Sequence, residues 1–149
     1  MLSKNAVPQT PCPVARSLNL IGDRWSLLII RDAFDGIRRF RDFQKNLGVA
    51  RNILSDRLRK LVEANILEMR EASDGTAYQE YILTPEGENL FPIVVAFRQW
   101  GEKYLFEPNE PRSILVDKET GAEIGLMLPV SKDGKVLDAK ATFVKKVVE

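Results

Sequence analysis

Residues 38–60 gather Arg38, Arg39, Arg41, Lys45, Arg51, Arg57, Arg59 and Lys60 against only Asp42 and Asp56, a local excess of +6. One chemistry such a block does well is to hold a polyanion by charge. At 100° per residue, Asn52, Ser55, Asp56, Arg59 and Glu63 fall opposite Leu54, Leu58, Leu61 and Val62, as on an amphipathic helix. A guanidinium matches the paired acceptors of guanine and a carboxamide matches adenine, so Arg51, Asn52, Ser55 and Arg59 are the candidates for base-edge contact. Arg38, Arg39, Arg41, Lys45, Lys60 and Arg70 are the candidates for phosphate contact, which positions a protein without reading sequence. On charge alone, a solvated helix face accounts for the block as readily as a polyanion does.

The neighbouring residues leave alternatives. Asp56 either accepts from cytosine or holds a nearby arginine, and the second is the favoured reading. Arg57 lies closer to the buried stripe, which favours an intramolecular salt bridge over a DNA contact. Cys12 is the single cysteine. Free cysteine is among the most buried residue types, so Cys12 could simply pack beside a helix. It could also be a redox sensor, since a helix N-terminus and Arg16 both favour thiolate. Without a second cysteine, a thiol response requires an adduct or a bond between protomers. The chain has no histidine, which removes the commonest general base and metal ligand and argues against an enzyme.

Whole-chain figures are less informative than their distribution. A net charge of +1 over 149 residues hides the basic block and an acidic stretch over 61–111, where Arg70, Arg98 and Lys103 face ten Asp or Glu. An apolar share of 44% and a charged share of 29% describe a globular chain able to bury a core. No signal-length or membrane-length apolar run is present, so a cytoplasmic protein with no membrane partner is expected.

The elements that must position these residues can be read from caps and periodicity. Pro13 opens a first helix with the stripe Val14, Leu18, Ile21. Asp23 caps a second whose Trp25–Ile30 core is apolar nearly all round. Phe40, Phe43 and Leu47 mark a third, ended by Gly48. The fourth runs from about Arg51 to Asn65, and Ala50 offers it no side-chain cap. Two strands flank Ser73-Asp74-Gly75-Thr76, a hairpin signal. Thr84-Pro85-Glu86 starts a long fifth helix reaching about Leu105, with Pro92 tilting its first turns. After the linker Glu107–Pro111, short runs at 114–116, 125–128 and 142–144 read as strands.

This order is that of a winged helix-turn-helix, mainly α with a β-hairpin wing, followed by a small β-rich C-terminal extension. The expected divisions are an N-terminal arm at 1–11, the winged domain at 12–107 and the tail at 108–149. The wing, residues 71–80, holds Glu71, Asp74 and Glu80 but no Lys or Arg, so its contribution to DNA binding is expected to be weak.

Cys12-Pro13-Val14, Leu20-Ile21-Gly22-Asp23-Arg24-Trp25, Leu27-Leu28-Ile29-Ile30-Arg31, Arg39-Phe40, Leu54-Ser55-Asp56-Arg57-Leu58, Tyr81-Ile82-Leu83-Thr84 and Trp100-Gly101 together resemble the HxlR-type winged helix-turn-helix regulators, across about residues 12–105. The resemblance implies a homodimeric transcription regulator of MarR-like shape that binds double-stranded DNA. It implies a dimer built from the first and last helices, for which Val14, Leu18, Phe91, Val95, Trp100 and Tyr104 are the candidate contacts. It also implies a role for Cys12 in sensing oxidants or electrophiles, as in some family members. With about 8 phosphates neutralised per dimer, affinity would fall about 10⁴-fold between 50 and 200 mM salt. Some relatives carry a Cys-rich ribbon where this tail lies; Thr120, Val130 and Asp133 stand at the cysteine positions, so the tail is expected to be metal-free and the chain to need no cofactor. A small-molecule effector is compatible with the sequence. The alternative function is a winged helix used for protein–protein contact, which would present apolar or acidic residues on the fourth helix.

Overall fold

The computed structural model describes residues 10–148, so most of the expected N-terminal arm lies outside the described residues. The chain divides into two compact units at Phe91/Pro92.

In the first unit, α1 (Pro13–Ile21) carries Pro13 in its first turn, and Cys12 is its N-cap. Asp23 caps α2 (Arg24–Phe34) through the Ser26 N–H at 3.1 Å. α3 (Phe40–Leu47) ends at Gly48, whose φ of 63° is the left-handed conformation that frees glycine of a Cβ penalty. That reversal lets α4 (Arg51–Glu63) start two residues after Val49, and Ala50 gives it no side-chain cap. α4 stops at Glu63 rather than Asn65, since Asn65 takes a left-handed φ of 60°. β1 (Leu67–Glu71) and β2 (Gln79–Leu83) pair antiparallel with Leu67 opposite Leu83 and Glu71 opposite Gln79. Tyr81 N–H also donates to the Arg38 carbonyl at 2.7 Å, tying the segment before α3 to the hairpin.

α2 packs against α1, α3, α4 and β2, the central position its all-round apolar sequence predicts. Ile29, Ile30, Phe43, Leu54 and Leu58 are fully buried around it, with Leu61 and Leu67 nearly so. Burial of Leu54, Leu58 and Leu61 fixes the rotation of α4 and thereby turns Arg51, Asn52, Ser55 and Arg59 outward. At roughly 25 cal/mol per Å² of apolar surface, each such leucine contributes about 2 kcal/mol, far more than any single exposed polar contact.

The long fifth helix of the sequence reading is two helices. Thr84 caps α5 (Pro85–Glu88) by accepting from Gly87 N–H at 3.0 Å, and α6 (Phe91–Tyr104) follows after a break at Asn89-Leu90. Pro92 explains the break: it cannot donate to the Glu88 carbonyl, and its ring would meet that carbonyl if the helix ran on. Gly87 is required by close approach, since a Cβ there would lie 2.2 Å from the Ile66 carbonyl oxygen.

The second unit comprises α6 from Pro92 on and the tail. The β-rich extension does not form. Among the described tail residues there are two isolated bridges, Val116 to Glu123 and Val130 to Val136, and a 3-10 turn, α7 (Ala139–Ala141). The expected turns around Gly121 and Gly134 are present, closed by Asp117 N–H to the Ala122 carbonyl at 2.8 Å and Ser131 N–H to the Lys135 carbonyl at 2.8 Å. The three apolar runs stay single because no second run lies beside them in ladder register. Side chains of α6 meet two of these stretches instead: Gln99 donates to the Gly125 carbonyl at 3.0 Å and accepts from Met127 N–H at 2.8 Å, and Arg98 donates to Ser113 Oγ, just before the first run, at 2.9 Å.

Candidate nucleic-acid interface

The polar face of α4 has two different halves. In the first, Arg51, Asn52 and Ser55 are exposed, and Asn52 and Ser55 make no side-chain hydrogen bond within the described residues. Arg51 has no acidic partner there and lies over the Phe40 ring at 5.0 Å, a cation–π contact that takes up none of its N–H donors in a hydrogen bond. Arg41 and Lys45 on α3 are likewise exposed and have no ion pair among the described residues. These groups can meet a duplex without first giving up a partner.

The second half is a closed charge network. Arg59 donates to Asp56 Oδ1 at 2.7 Å and to Glu63 Oε1 at 3.2 Å. Arg57 donates to Asp56 Oδ2 at 2.6 Å and to Asp23 Oδ2 at 2.8 Å, and Lys60 lies 3.3 Å from Asp56. The favoured readings of Asp56 as a holder of arginine and of Arg57 as an intramolecular partner are both observed. Burial pushes the Asp23 carboxyl up, but hydrogen bonds from Ser26 and Arg57 outweigh it and leave it below its ordinary value. The Arg59 hydrogen bond, with Lys60 and Arg57, likewise holds Asp56 low.

The remaining phosphate candidates are also engaged. Arg39 forms an ion pair with Asp74 at the wing tip, approaches Thr76 Oγ1 at 3.4 Å, and lies 5.3 Å from the Tyr78 ring centre. The Thr76 N–H donates to Asp74 at 3.0 Å, and with Arg39 it lowers the Asp74 carboxyl. Arg38 lies 3.5 Å from Glu80, which is buried, and Arg70 pairs with Glu68. The +6 block is therefore largely compensated in the folded chain, with Arg41, Lys45 and Arg51 left as its open cations.

A fully buried acid escaped the sequence reading. Asp32 accepts from Arg31 at 2.9 Å and from Asn46 at 2.9 Å, joining α2 to the end of α3. Its only sequence signal is an acid directly after the apolar run Leu27–Ile30 and Arg31.

Within the single chain Cys12 is exposed and does not pack beside a helix. Its Sγ accepts from Ala15 N–H at 3.5 Å, while Arg16 donates to the Thr10 carbonyl at 2.5 Å. Of the expected dimer contacts, Val14, Leu18, Trp100 and Tyr104 are more than half exposed, and Phe97, outside that set, is 64% exposed. Phe91 is 39% exposed and stacks edge-on against Phe34 with ring centres 5.2 Å apart. Val95 must be removed from the set: at 2% exposure it is already buried within the chain. Among the described residues, no cluster of His, Cys, Asp or Glu could hold a metal ion. No helix among them is long and apolar enough to cross a membrane.

Residues 20–109 match the HxlR-like helix-turn-helix family. The chain belongs to that family. An uncharacterised HTH-type transcriptional regulator of Mycobacterium tuberculosis, Rv3095, is 46% identical over 98 residues, which are 66% of this chain and 62% of the relative. The chain thus spans about three fifths of the length of its mycobacterial relatives. A solved chain described as a proposed transcription factor, PA1607, is 48% identical with a TM-score of 0.88, covering 93% of this chain and 97% of its own. The redox regulator HypR in its reduced form is 30% identical with a TM-score of 0.56, covering 62% of this chain and 92% of that one. The match to PA1607 extends beyond the HxlR-like region into the tail, whereas that to HypR covers a share close to the family region alone.

Proposed function

We propose that this HxlR-like chain is a homodimeric, sequence-specific DNA-binding transcriptional regulator that places α4 in the major groove. The observation that carries the reading is the open first half of α4. Arg51, Asn52 and Ser55 project from the end that a helix-turn-helix presents to base edges, and their burial partners Leu54 and Leu58 hold that face outward. Arg41 and Lys45 supply phosphate contacts beside it. A protein-contact winged helix would show apolar or acidic residues there, and the exposed residues of this first half, Arg51, Asn52 and Ser55, are neither. The exposed stripes on α1 and α6 support the dimer, since Val14 with Leu18 and Phe97, Trp100 with Tyr104 are apolar surfaces at helical spacing.

Selection from a random duplex pool tests the function directly. The full chain is expected to enrich a two-fold-symmetric site with half-sites about 34 Å apart, and sedimentation is expected to give a dimer. Failure to enrich any sequence would overturn the reading.

Control through Cys12 belongs to the same proposal. The thiol is exposed at a helix N-terminus, where an oxidant or electrophile can reach it, and a relative, HypR, is described as a redox regulator. Treatment with diamide or a quinone is expected to release the wild type from DNA and to leave Cys12→Ser bound. Equal release of both would remove the switch.

A further inference from the structure

Arg59 is half exposed, yet two of its nitrogens are already committed to acids on either side along the helix, Asp56 at 2.7 Å and Glu63 at 3.2 Å. Asp56 is itself held, by Lys60 at 3.3 Å and by Arg57 at 2.6 Å. Arg57 in turn is anchored to Asp23, the cap of α2, at 2.8 Å. The chain Asp23, Arg57, Asp56, Arg59 therefore fixes the direction of one exposed guanidinium from the helix in the middle of the core. The charges of Arg57, Arg59 and Lys60 are matched by Asp23, Asp56 and Glu63, so the cluster is neutral. A neutral cluster gains little from counterion release. A guanidinium held in place loses less side-chain freedom on binding than a free one, and Arg59 keeps N–H donors beyond the two committed to these acids.

We propose that Asp56 is a specificity-determining positioning residue. It holds Arg59 as an aimed, charge-compensated donor for a base edge, in place of a loose cation that would clamp any phosphate. The proposal rests on the DNA-binding reading above. It divides labour along α4: the open first half supplies attraction and base contact, and the braced second half adds discrimination without adding net charge.

The experiment uses the full chain and the duplex it selects from a random pool, with a scrambled duplex of equal length as the competitor. Affinities for both are measured for wild type, Asp56→Asn, Asp56→Glu and Arg59→Ala at 50 and 200 mM salt, alongside thermal midpoints. Asp56→Asn is expected to bind scrambled DNA several-fold tighter, to steepen the salt dependence, and to lose about tenfold in discrimination. Asp56→Glu is expected to restore most of that discrimination. Arg59→Ala is expected to lose it equally, and adding Asp56→Asn to Arg59→Ala should cost nothing more. Wild-type discrimination in Asp56→Asn would overturn the proposal while leaving the function intact. So would a loss of affinity for both duplexes that merely follows a lowered thermal midpoint. A wild type that selects no sequence would overturn the function as well.

Discussion

Arg51 and Arg59 stand two turns apart on one helix face and differ in what surrounds them. Arg51 rests on the Phe40 ring with its charge uncompensated nearby, whereas Arg59 is bracketed by Asp56 and Glu63. The same contrast runs through the whole basic block. Arg41 and Lys45 belong with Arg51; Arg38, Arg39, Arg57 and Lys60 belong with Arg59, each tied to an acid. Local charge density therefore overstates what a polyanion meets. Electrostatic attraction and sequence discrimination can be carried by different members of one cluster.

The sharpest break of this comparison is at the open end. Arg51→Ala and Asn52→Ala are each expected to cost about 1–3 kcal/mol of binding to the selected duplex, roughly ten- to a hundredfold. Titration of labelled duplex measures it. If both variants bind like wild type, α4 does not enter the groove by its first half. The open cations also bound the salt response. Arg41, Lys45 and Arg51 from each protomer bring six uncompensated cations to the duplex, which displace counterions about as six phosphate contacts would, for a log–log slope of about −5. That is a fall of about 10³-fold between 50 and 200 mM salt, against about 10⁴-fold for the eight phosphate contacts per dimer expected from the sequence. A slope near −7 would show that the pairs open on DNA.

A second test separates the two sets by stability. Arg57→Ala removes charged hydrogen bonds to both Asp23 and Asp56 and is expected to lower unfolding free energy by about 2 kcal/mol. Arg51→Ala loses a surface cation–π contact worth about 0.5 kcal/mol. Urea denaturation compares them, and equal losses would mean that the brace does not hold α4 to α2.

How much of this was legible in the sequence follows from the range of each interaction. Caps and periodicity act over a few residues, so Asp23, Gly48, Thr84 and the Leu54, Leu58, Leu61 stripe placed the helices nearly where they lie. The hairpin followed from Asp74-Gly75 for the same reason. Pairings across the fold were not legible. Arg39 with Asp74, Arg38 with Glu80 and Arg57 with Asp23 join residues more than thirty positions apart, and a windowed charge count is blind to them. The split at Asn89-Leu90 was signalled by Pro92, but whether a proline tilts or breaks a helix depends on the surrounding packing. The tail misled because apolar runs between glycine turns look like strands, and strands require a partner in register.

The wing offers a smaller test of the closed set. Asp74→Lys removes the acid that engages Arg39 and adds a cation at the hairpin tip. It is expected to tighten binding to any duplex a few-fold without changing the selected sequence. Competition between selected and scrambled duplexes reads both quantities. A changed preference, or loss of binding on substituting Thr76 with the fold intact, would mean that the wing reads DNA itself.

The smallest effect concerns acid. Asp23 and Asp56 ionise more readily in the folded chain than in the unfolded one, because Ser26 and Arg57 at the first and Arg59 at the second outweigh burial. For a carboxylate with a depressed folded value, the stabilisation is present in full above the unfolded value near ~4 and fades as pH falls through the folded value. The stability gap between wild type and Asp23→Asn should thus be constant above about pH 5 and shrink below about pH 4. Arg51→Ala, which touches no carboxylate, should show a gap that does not vary with pH. Both side chains are about one third exposed (34%), so water screens them in part and the change should be a fraction of that caused by losing Arg57. A gap for Asp23→Asn that persists unchanged at pH 3 would mean that the Asp23 side chain acts only as a helix cap, for which asparagine is an equal substitute, and that the link from α2 to α4 carries no charge.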